Sequence, residues 1–403
     1  MQTVVDKGSL KRLVMVRYGE LFLKSEPVKH HFIGLLLRNI GKALTASGLH
    51  HHYETPRGRI LIFGDDPEKI ADIVSRIFGL VDVSICTKTS GHIDNLCAEA
   101  VALASARLSS GMSFAVRAKR QQKSGLDSQE LGARIGSAIY EHIPGLSVDL
   151  DNPDYEIFIE VRDFGGLVYD SRITAPGGLP SGTQGRALVL LSSGIDSPVA
   201  SWLAMKRGCE ITHLHLDGGR WAGSDVKSAA IENHKKLSRW CAGNPLMMVI
   251  ANSEPLYDRM QELRIPPRYR CVICKRFMVQ VASRLMEHEG ALAIITGENL
   301  GQVASQTLTN LSVISEGLTV PVLRPLITYD KEEIITLARR IGTFDTHPGD
   351  LACRAVPKMP ATAAVLEVIR ECEQKMDIDT IVTQACKELQ YVTALNSEIV
   401  SGR

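Results

Sequence analysis

The sequence predicts an α/β protein: a C-terminal doubly wound parallel sheet, preceded by two small α+β units. Three observations predict it. From residue 187 onward, short apolar runs alternate with helix-length segments, the rhythm of strands covered on both faces by crossover helices. Before residue 176 the segments are shorter and mixed, and their pattern restarts near residue 77. Between these regions, residues 176–185 (PGGLPSGTQG) are rich in glycine and proline, a composition that neither helix nor strand survives. The expected domains are therefore 1–76 and 77–175, a linker at 176–186, and 187–403.

Each element follows from local pattern. Leu13–Arg17 reads as a strand. Val28–Ser47 carries apolar residues at helical spacing (Phe32, Leu35, Leu36, Ile40, Ala43, Leu44). Arg59–Phe63 is a strand and Pro67–Phe78 a helix. The second unit runs strand Val81–Lys88, helix Asn95–Leu108, strand Ser113–Ala118, helix Gln129–Ile143 and strand Tyr155–Arg162. After the linker, Ala187–Leu191, Ile211–Asp217, Leu246–Ala251 and Ala291–Thr296 are strands. Helices fit at Ser197–Arg207, Val226–Cys241, Lys275–Glu289 and Lys331–Ile341, and residues 365–395 read as helical.

Composition narrows the function classes. The 403 residues are 44% hydrophobic and 23% charged, which excludes a largely disordered chain. No apolar run approaches the roughly 18 residues of a membrane helix, and the N-terminus lacks a signal-peptide core, so a cytoplasmic protein without membrane association is expected. Nine cysteines are too sparse for a disulfide scaffold and are expected as thiols, metal ligands or catalysts. Net charge is only +1, but residues 1–59 hold ten Lys+Arg against four Asp+Glu, which suits either a nucleic-acid footprint or a solvated helix face.

The segment Leu190-Leu-Ser-Ser-Gly-Ile-Asp-Ser197 follows a buried strand and opens a helix. Small residues there let a backbone approach an anion. Ser192, Ser193 and Ser197 offer hydroxyls, and the helix N-terminus offers unpaired N–H groups. The Walker A pattern is absent. Asp196 beside phosphates calls for Mg²⁺ or a hydroxyl to direct. A plain strand–helix turn is the simpler alternative. At the ends of later strands, backbone groups of His215 and Leu216 are placed to read an adenine edge. Gly297 lets the chain sit against a ribose or base, with Gln306 nearby, and Lys275 opens a helix where it can neutralise phosphate.

SSGIDS resembles the SGGxDS loop of enzymes that split ATP into AMP and pyrophosphate. GGLPSGTQGRALVLLSSGIDSPVASWLAMKRG, TGENLGQVASQTLTNL and VLRPLITYDKEEIITLARRIGT resemble the tRNA 4-thiouridine synthetase family. FAVRAKRQQKSGLDSQELGARIGSAI and PDYEIFIEVRD resemble its THUMP RNA-binding module, and RLVMVRYGELFLKS its N-terminal ferredoxin-like module. The resemblance implies ferredoxin-like and THUMP modules ahead of an ATP-pyrophosphatase (PP-loop) domain. It implies ATP contacts at Leu190, Leu191, Ser192, Ser193, Gly194, Ser197, His215, Leu216, Lys275, Gly297 and Gln306. Asp196, Lys331 and Cys353 are its implied catalytic residues, with Lys331 stabilising charge on the α-phosphate or departing pyrophosphate. Ser193 departs from the family's glycine; a required positive φ there would strain it.

Cys353 lies in an irregular stretch flanked by Arg354 and Lys358, surroundings that favour a thiolate. Cys271-Val-Ile-Cys274 is a further departure, since many family members lack the pair. Members that carry it are associated with an iron–sulfur cluster, so Cys271, Cys274 and Cys353 are candidate ligands of a [4Fe–4S] or [3Fe–4S] cluster. Zinc with His347 as fourth ligand, a redox pair resolving Cys353, and three unrelated thiols stand as alternatives. Cys86, Cys97, Cys209, Cys241, Cys372 and Cys386 read as core or helix-surface residues. Some family members carry a C-terminal rhodanese domain; this chain stops at Arg403, so sulfur is expected from sulfide, a cluster or a separate carrier protein.

Arg117, Lys119, Arg120 and Lys123 form a basic tract suited to RNA phosphates. The implied reaction is thiolation of a tRNA uridine, position 8 in the family: ATP adenylates O4, then sulfur displaces AMP. A homodimer is implied as well. Rival expectations are a small-molecule amide ligase, thiolation at another tRNA position such as cytidine 32, and a non-catalytic tRNA-binding module. The family's link to thiazole sulfur in thiamine synthesis has no separate signal in the chain.

Overall fold

A computed structural model describes residues 12–20, 25–56, 58–121, 126–344 and 349–402. The chain forms two compact units: residues 1–30 with 40–178, and residues 31–39 with 179–403.

The first unit contains β1 (Arg12–Tyr18), most of α1 (Glu26–Ala46), β2 (His51–Glu54), β3 (Ile60–Gly64), α2 (Pro67–Val74) and β4 (Leu80–Thr89). It continues with α3 (Ile93–Ser105), β5 (Ser113–Arg120), α4 (Ser128–His142), β6 (Ser147–Val148), β7 (Tyr155–Arg162), β8 (Gly165–Tyr169) and β9 (Ile173–Thr174). Helix starts are chemically marked. Asp66 caps α2 ahead of Pro67, and Asp127 with Glu130 forms a reciprocal capping box on α4.

The two expected N-terminal modules share one nine-stranded sheet, in the order β2-β3-β1-β4-β8-β7-β5-β6 with β9 on β4. β4 joins the halves: it pairs with β1 from Arg12–Thr87 to Tyr18–Leu80, and with β8 at Thr87–Val168. β2, β6, β8 and β9 escaped the sequence pattern because they are short or lie on exposed edges.

One buried carboxylate ties this sheet together. Glu160 on β7, 2% exposed, meets Arg17 of β1 at 3.6 Å, Arg59 beside β3 at 2.9 Å, and Arg162. Arg17 also pairs with Asp82 on β4. Burial pushes the Glu160 carboxyl up, but Arg59 and Arg162 outweigh it and hold it below its ordinary value.

The second unit is built from β10 (Arg186–Leu190), α5 (Asp196–Lys206), β11 (Glu210–Asp217), α6 (Val226–Ser238), β12 (Leu246–Asn252), α7 (Glu254–Glu262), α8 (Arg270–Glu289) and β13 (Ala293–Ile295). Then come α9 (Leu308–Ser315), β14 (Val322–Leu323), α10 (Lys331–Ile341), α11 (Leu366–Met376), α12 (Ile378–Ala385), β15 (Leu389–Leu395) and β16 (Glu398–Gly402). Strand order is β14-β13-β10-β11-β12-β15-β16. The first five strands are parallel, as expected. The order departs from β10 in both directions, so the end of β10 is a topological switch point.

Two expectations are corrected. Residues 389–395 are strand rather than helix: β15 runs antiparallel to β12, and β16 returns from it through Asn396 and Ser397, both at positive φ. That is the two-residue hairpin turn whose twist matches strands. α8 begins at Arg270, five residues before the expected Lys275, which puts Cys271 and Cys274 on its first turn. The glycine-rich 176–186 segment contains the boundary between the two units, after Gly178. The Gly177 N–H donates to Leu80 O at 2.7 Å in the first unit, and Leu179 N–H to Lys206 O at 3.0 Å in the second.

Glu160→Gln leaves three arginines around a neutral group and should cost about 3 kcal/mol. Because the folded carboxyl titrates below its unfolded value of about 4.5, its contribution is complete above that value and fades as pH falls through the folded value. Urea unfolding of the two proteins should therefore differ most near neutral pH and converge as pH falls below the folded value.

Candidate active site

The loop after β10 holds a compact net of small groups. Ser197 Oγ accepts from the Ser192 N–H at 2.8 Å and lies 2.9 Å from Ser192 Oγ, which accepts from the Gly194 N–H at 3.2 Å. Ser193 is not among the residues at positive φ, so its expected strain is absent. Two buried side chains hold the loop's carbonyls. His215 on β11 bonds Leu191 O through Nδ1 at 2.9 Å, and Asn233 on α6 donates to Ser192 O at 3.3 Å. Burial keeps His215 neutral by pushing its ring below its ordinary value. The carbonyl therefore fixes the proton on Nδ1 and leaves Nε2 as a buried acceptor without a partner among the described residues.

Gly297 has a tighter reason to be glycine than a nucleotide contact. An added Cβ would stand 2.7 Å from Ser197 N and 2.8 Å from its Cα. The turn after β13 thus packs directly on the first turn of α5. Beyond it, Glu298 is 6% exposed and bonds Lys275 Nζ at 2.9 Å, Arg324 Nε at 2.7 Å and Thr296 Oγ1 at 3.1 Å. Burial pushes the Glu298 carboxyl up; Lys275 and Arg324 outweigh this and keep it below its ordinary value. Lys275 sits inside α8 and is engaged with Glu298 rather than free at a helix start.

Asp196 opens α5 and is gripped from both sides, by Lys331 Nζ at 2.8 Å and Gln302 Nε2 at 3.0 Å. Lys331 is the first residue of α10, whose Asp330–Glu333 capping box fixes where the lysine emerges. Gln306 closes a short turn, 8% exposed, with Oε1 unpartnered among the described residues.

The thiols form the other half of the site. Cys271 and Cys274, three apart on α8, share a helix face. Cys353 is exposed on a loop bridged to Ala222 by backbone pairing, with Arg354 N–H on Trp221 O at 2.8 Å. Gly223 is required there: a Cβ would fall 1.9 Å from Asp350 O. Arg354 is engaged by Asp350 at 2.8 Å. Tyr257 Oη on α7 lies 3.0 Å from Cys274 Sγ. Burial pushes the Cys274 thiol up to about 11; its Tyr257 bond opposes this, and the neighbouring Cys353 and Cys271 add to it. Burial, then Cys353, raises Cys271. Cys353 and Lys275 therefore both act on the two helical thiols. As donors they suit a thiolate-ligated iron–sulfur cluster, although no group of three His, Cys, Asp or Glu among the described residues is closed up to hold an ion. His347 lies outside the described residues.

These features meet known proteins along the whole chain. Residues 182–378 match the family described as thiamine biosynthesis protein (ThiI), residues 13–84 the ThiI ferredoxin-like domain, and residues 91–169 the THUMP domain. A probable tRNA sulfurtransferase of Methanothermobacter thermautotrophicus is 38% identical over 381 residues, covering 91% of this chain and 94% of that protein. The chain belongs to the ThiI family. A probable tRNA sulfurtransferase of Moorella thermoacetica is 37% identical to this ThiI-family chain over 387 residues, 94% of one and 97% of the other. Among solved structures, a 4-thiouridine synthetase–RNA complex with bound ATP superposes with TM-score 0.83 at 32% identity, over 95% of this chain and 99% of that one.

The basic tract of this ThiI-family chain lies on β5, in the first unit. Arg117 bonds Glu156 and Leu150 O, each at 2.7 Å, and Lys119 is exposed. Both line a groove of about 880 Å³ with Tyr140, Val148 and Leu150. Arg120 ends the strand, its N–H on Ser128 Oγ at 3.0 Å; Lys123 lies outside the described residues. No helix among the described residues is long and apolar enough to cross a membrane. Sequence reasoning missed Asn233, Glu298, Gln302, Arg324 and Tyr257, whose partners lie far along the chain; Glu298, Gln302 and Arg324 fell inside quoted motifs without being singled out.

Gly297→Ala should push the turn off α5. Overpacking of about 1–3 kcal/mol corresponds to about five- to hundredfold weaker ATP binding, read by equilibrium titration alongside the thermal midpoint.

Proposed function

We propose that this chain is an ATP-dependent tRNA sulfurtransferase that converts a tRNA uridine, position 8, to 4-thiouridine. The observation that carries the reading is a continuous chain of contacts from phosphate loop to thiols. Ser197 packs on Gly297; Glu298 follows it and binds Lys275; Lys275 lies one helical turn beyond Cys271. One domain thereby couples nucleotide activation to sulfur chemistry. Residues 1–76 and 77–175 serve as ferredoxin-like and THUMP modules, 176–186 as linker and 187–403 as PP-loop domain.

The triphosphate lies on the loop at Ser192–Ser197, with the nucleoside toward His215 and Leu216, Leu190 and Leu191 behind the loop, and Gly297 and Gln306 beside it. Uridine O4 attacks the α-phosphorus, the bond to the β-phosphate breaks, and pyrophosphate leaves. Lys331 meets the charge that develops there. Asp196, an oxygen ligand among hydroxyls, suits Mg²⁺. Sulfur then attacks C4 and AMP departs with the former O4. Cys271, Cys274 and Cys353 would hold a [4Fe–4S] or [3Fe–4S] cluster; the [4Fe–4S] form would supply a fourth iron open to sulfide.

A second reading rests on the contrast between exposed Cys353 and half-buried Cys274. The terminal sulfur of a Cys353 persulfide attacks C4. A Cys271 or Cys274 thiolate then attacks Cys353 Sγ, releasing the thiouridine and leaving a disulfide that an external dithiol reduces. Arg117, Lys119, Arg120 and Lys123 contact the tRNA backbone, and two copies of the chain act as a homodimer. In the cluster reading sulfide supplies the sulfur; in the persulfide reading a separate carrier protein passes the outer sulfur of its own persulfide to the Cys353 thiolate and leaves as a thiol.

Cys353→Ala should still release pyrophosphate on adding tRNA but form no 4-thiouridine, read by absorbance near 330 nm; normal thiolation would sink the assignment. Anaerobically purified protein should carry about three to four irons, lost in Cys271→Ala/Cys274→Ala. Iron-free, active wild type selects the persulfide reading instead.

A further inference from the structure

The amide of Asn233 has no place in the reaction as derived above, yet it is among the most buried polar groups beside the site. Asn233 is fully buried on α6, and its Nδ2 donates to Ser192 O at 3.3 Å. Only the amide nitrogen can donate to a carbonyl, so this contact fixes which way the carboxamide points. Its Oδ1 is buried with no partner among the described residues. Burying such an oxygen is costly, and a leucine of similar size would avoid the cost. The one side-chain bond that Asn233 makes among the described residues is to the phosphate loop.

The peptide group is planar and trans, so a carbonyl and the following N–H point in opposite directions. The Leu191–Ser192 peptide illustrates this. Its carbonyl is held by His215 at 2.9 Å, while its N–H turns to Ser197 Oγ at 2.8 Å. The next peptide, Ser192–Ser193, has its carbonyl held by Asn233 on the buried side. Its N–H, that of Ser193, is therefore directed away from α6.

We propose that Asn233 is a positioning residue of the phosphate loop: by holding Ser192 O it aims the Ser193 N–H at the bound phosphates. The inference rests on ATP occupying this loop, as argued above. It also accounts for serine at position 193 in place of glycine, because the group in use is the backbone N–H and the φ there is not positive.

The test uses the full-length protein, with ATP, pyrophosphate and adenosine as separate probes. Asn233→Asp keeps the size and removes the donor; Asn233→Leu removes both polar atoms. Each should weaken ATP and pyrophosphate about tenfold, the worth of one hydrogen bond, while adenosine affinity stays unchanged. Ser193→Pro deletes the N–H itself and should weaken ATP similarly. Combined with Ser193→Pro, Asn233→Asp should then cause no further loss, since both act through one group. Wild-type ATP affinity in Asn233→Asp overturns the inference alone. Equal losses of ATP and adenosine, or additive losses in the double variant, also overturn it by assigning Asn233 a general structural role. A wild type that binds no ATP overturns the functional reading and the inference together.

Discussion

The site depends on the reversal of strand order at β10. β11 and β12 lie to one side of it and β13 and β14 to the other, so the connections leaving β10 and β13 part around a crevice. Everything that crosses that crevice must be small or charged. Ser192, Ser193 and Gly194 make the turn, and Gly297 lets the β13 turn reach α5. The same crowding gives the loop its hydrogen bonds, because serines so close together satisfy one another's polar groups. α5 is buried along almost its whole length, with Trp202 fully enclosed, so the loop is fixed from behind by packing as well.

Charge placement works under the same constraint. Burying Glu298 would be prohibitive alone, yet it is flanked by Lys275 and Arg324 and bonded by Thr296. The cluster serves as a hinge pin between the loop and α8. It ties the helix that bears Cys271 and Cys274 to the turn that touches Ser197. Asp196, Gln302 and Lys331 form a second, more exposed cluster on the other side. The two differ in kind: the inner one is satisfied within the protein, whereas the outer one joins a lysine and an acid that can exchange partners when phosphate or a cation arrives.

Much of this was legible in the sequence. A buried apolar run followed by small residues and a helix reads as a strand–loop–helix unit, and Asp330 with Glu333 marked the start of α10 to the residue. The start of α8 was not legible, since Tyr269 at its N-cap makes no side-chain capping bond. The β15–β16 hairpin was hidden because its strands follow two real helices without a proline or glycine; Asn396-Ser397 was the signal available. Pairings such as Glu298 with Arg324, or Asn233 with Ser192, have no period and arise only from tertiary packing. Grouping the three cysteines into one site was an expectation from family resemblance, while Tyr257 beside Cys274 had no sequence signature at all.

The unbroken sheet of the first unit has a consequence for any RNA that docks on it. Flexible tandem modules can each find their own contacts and adjust the gap between them. Here β4 is hydrogen-bonded to β1 and to β8, and Glu160 gathers arginines from β1, β7 and the edge of β3. Changing the spacing of the two halves would tear ladder bonds and expose a buried carboxylate. The spacing between the two halves is therefore set before any RNA arrives, so the fit must come from the shape of the RNA rather than from adjustment between the halves.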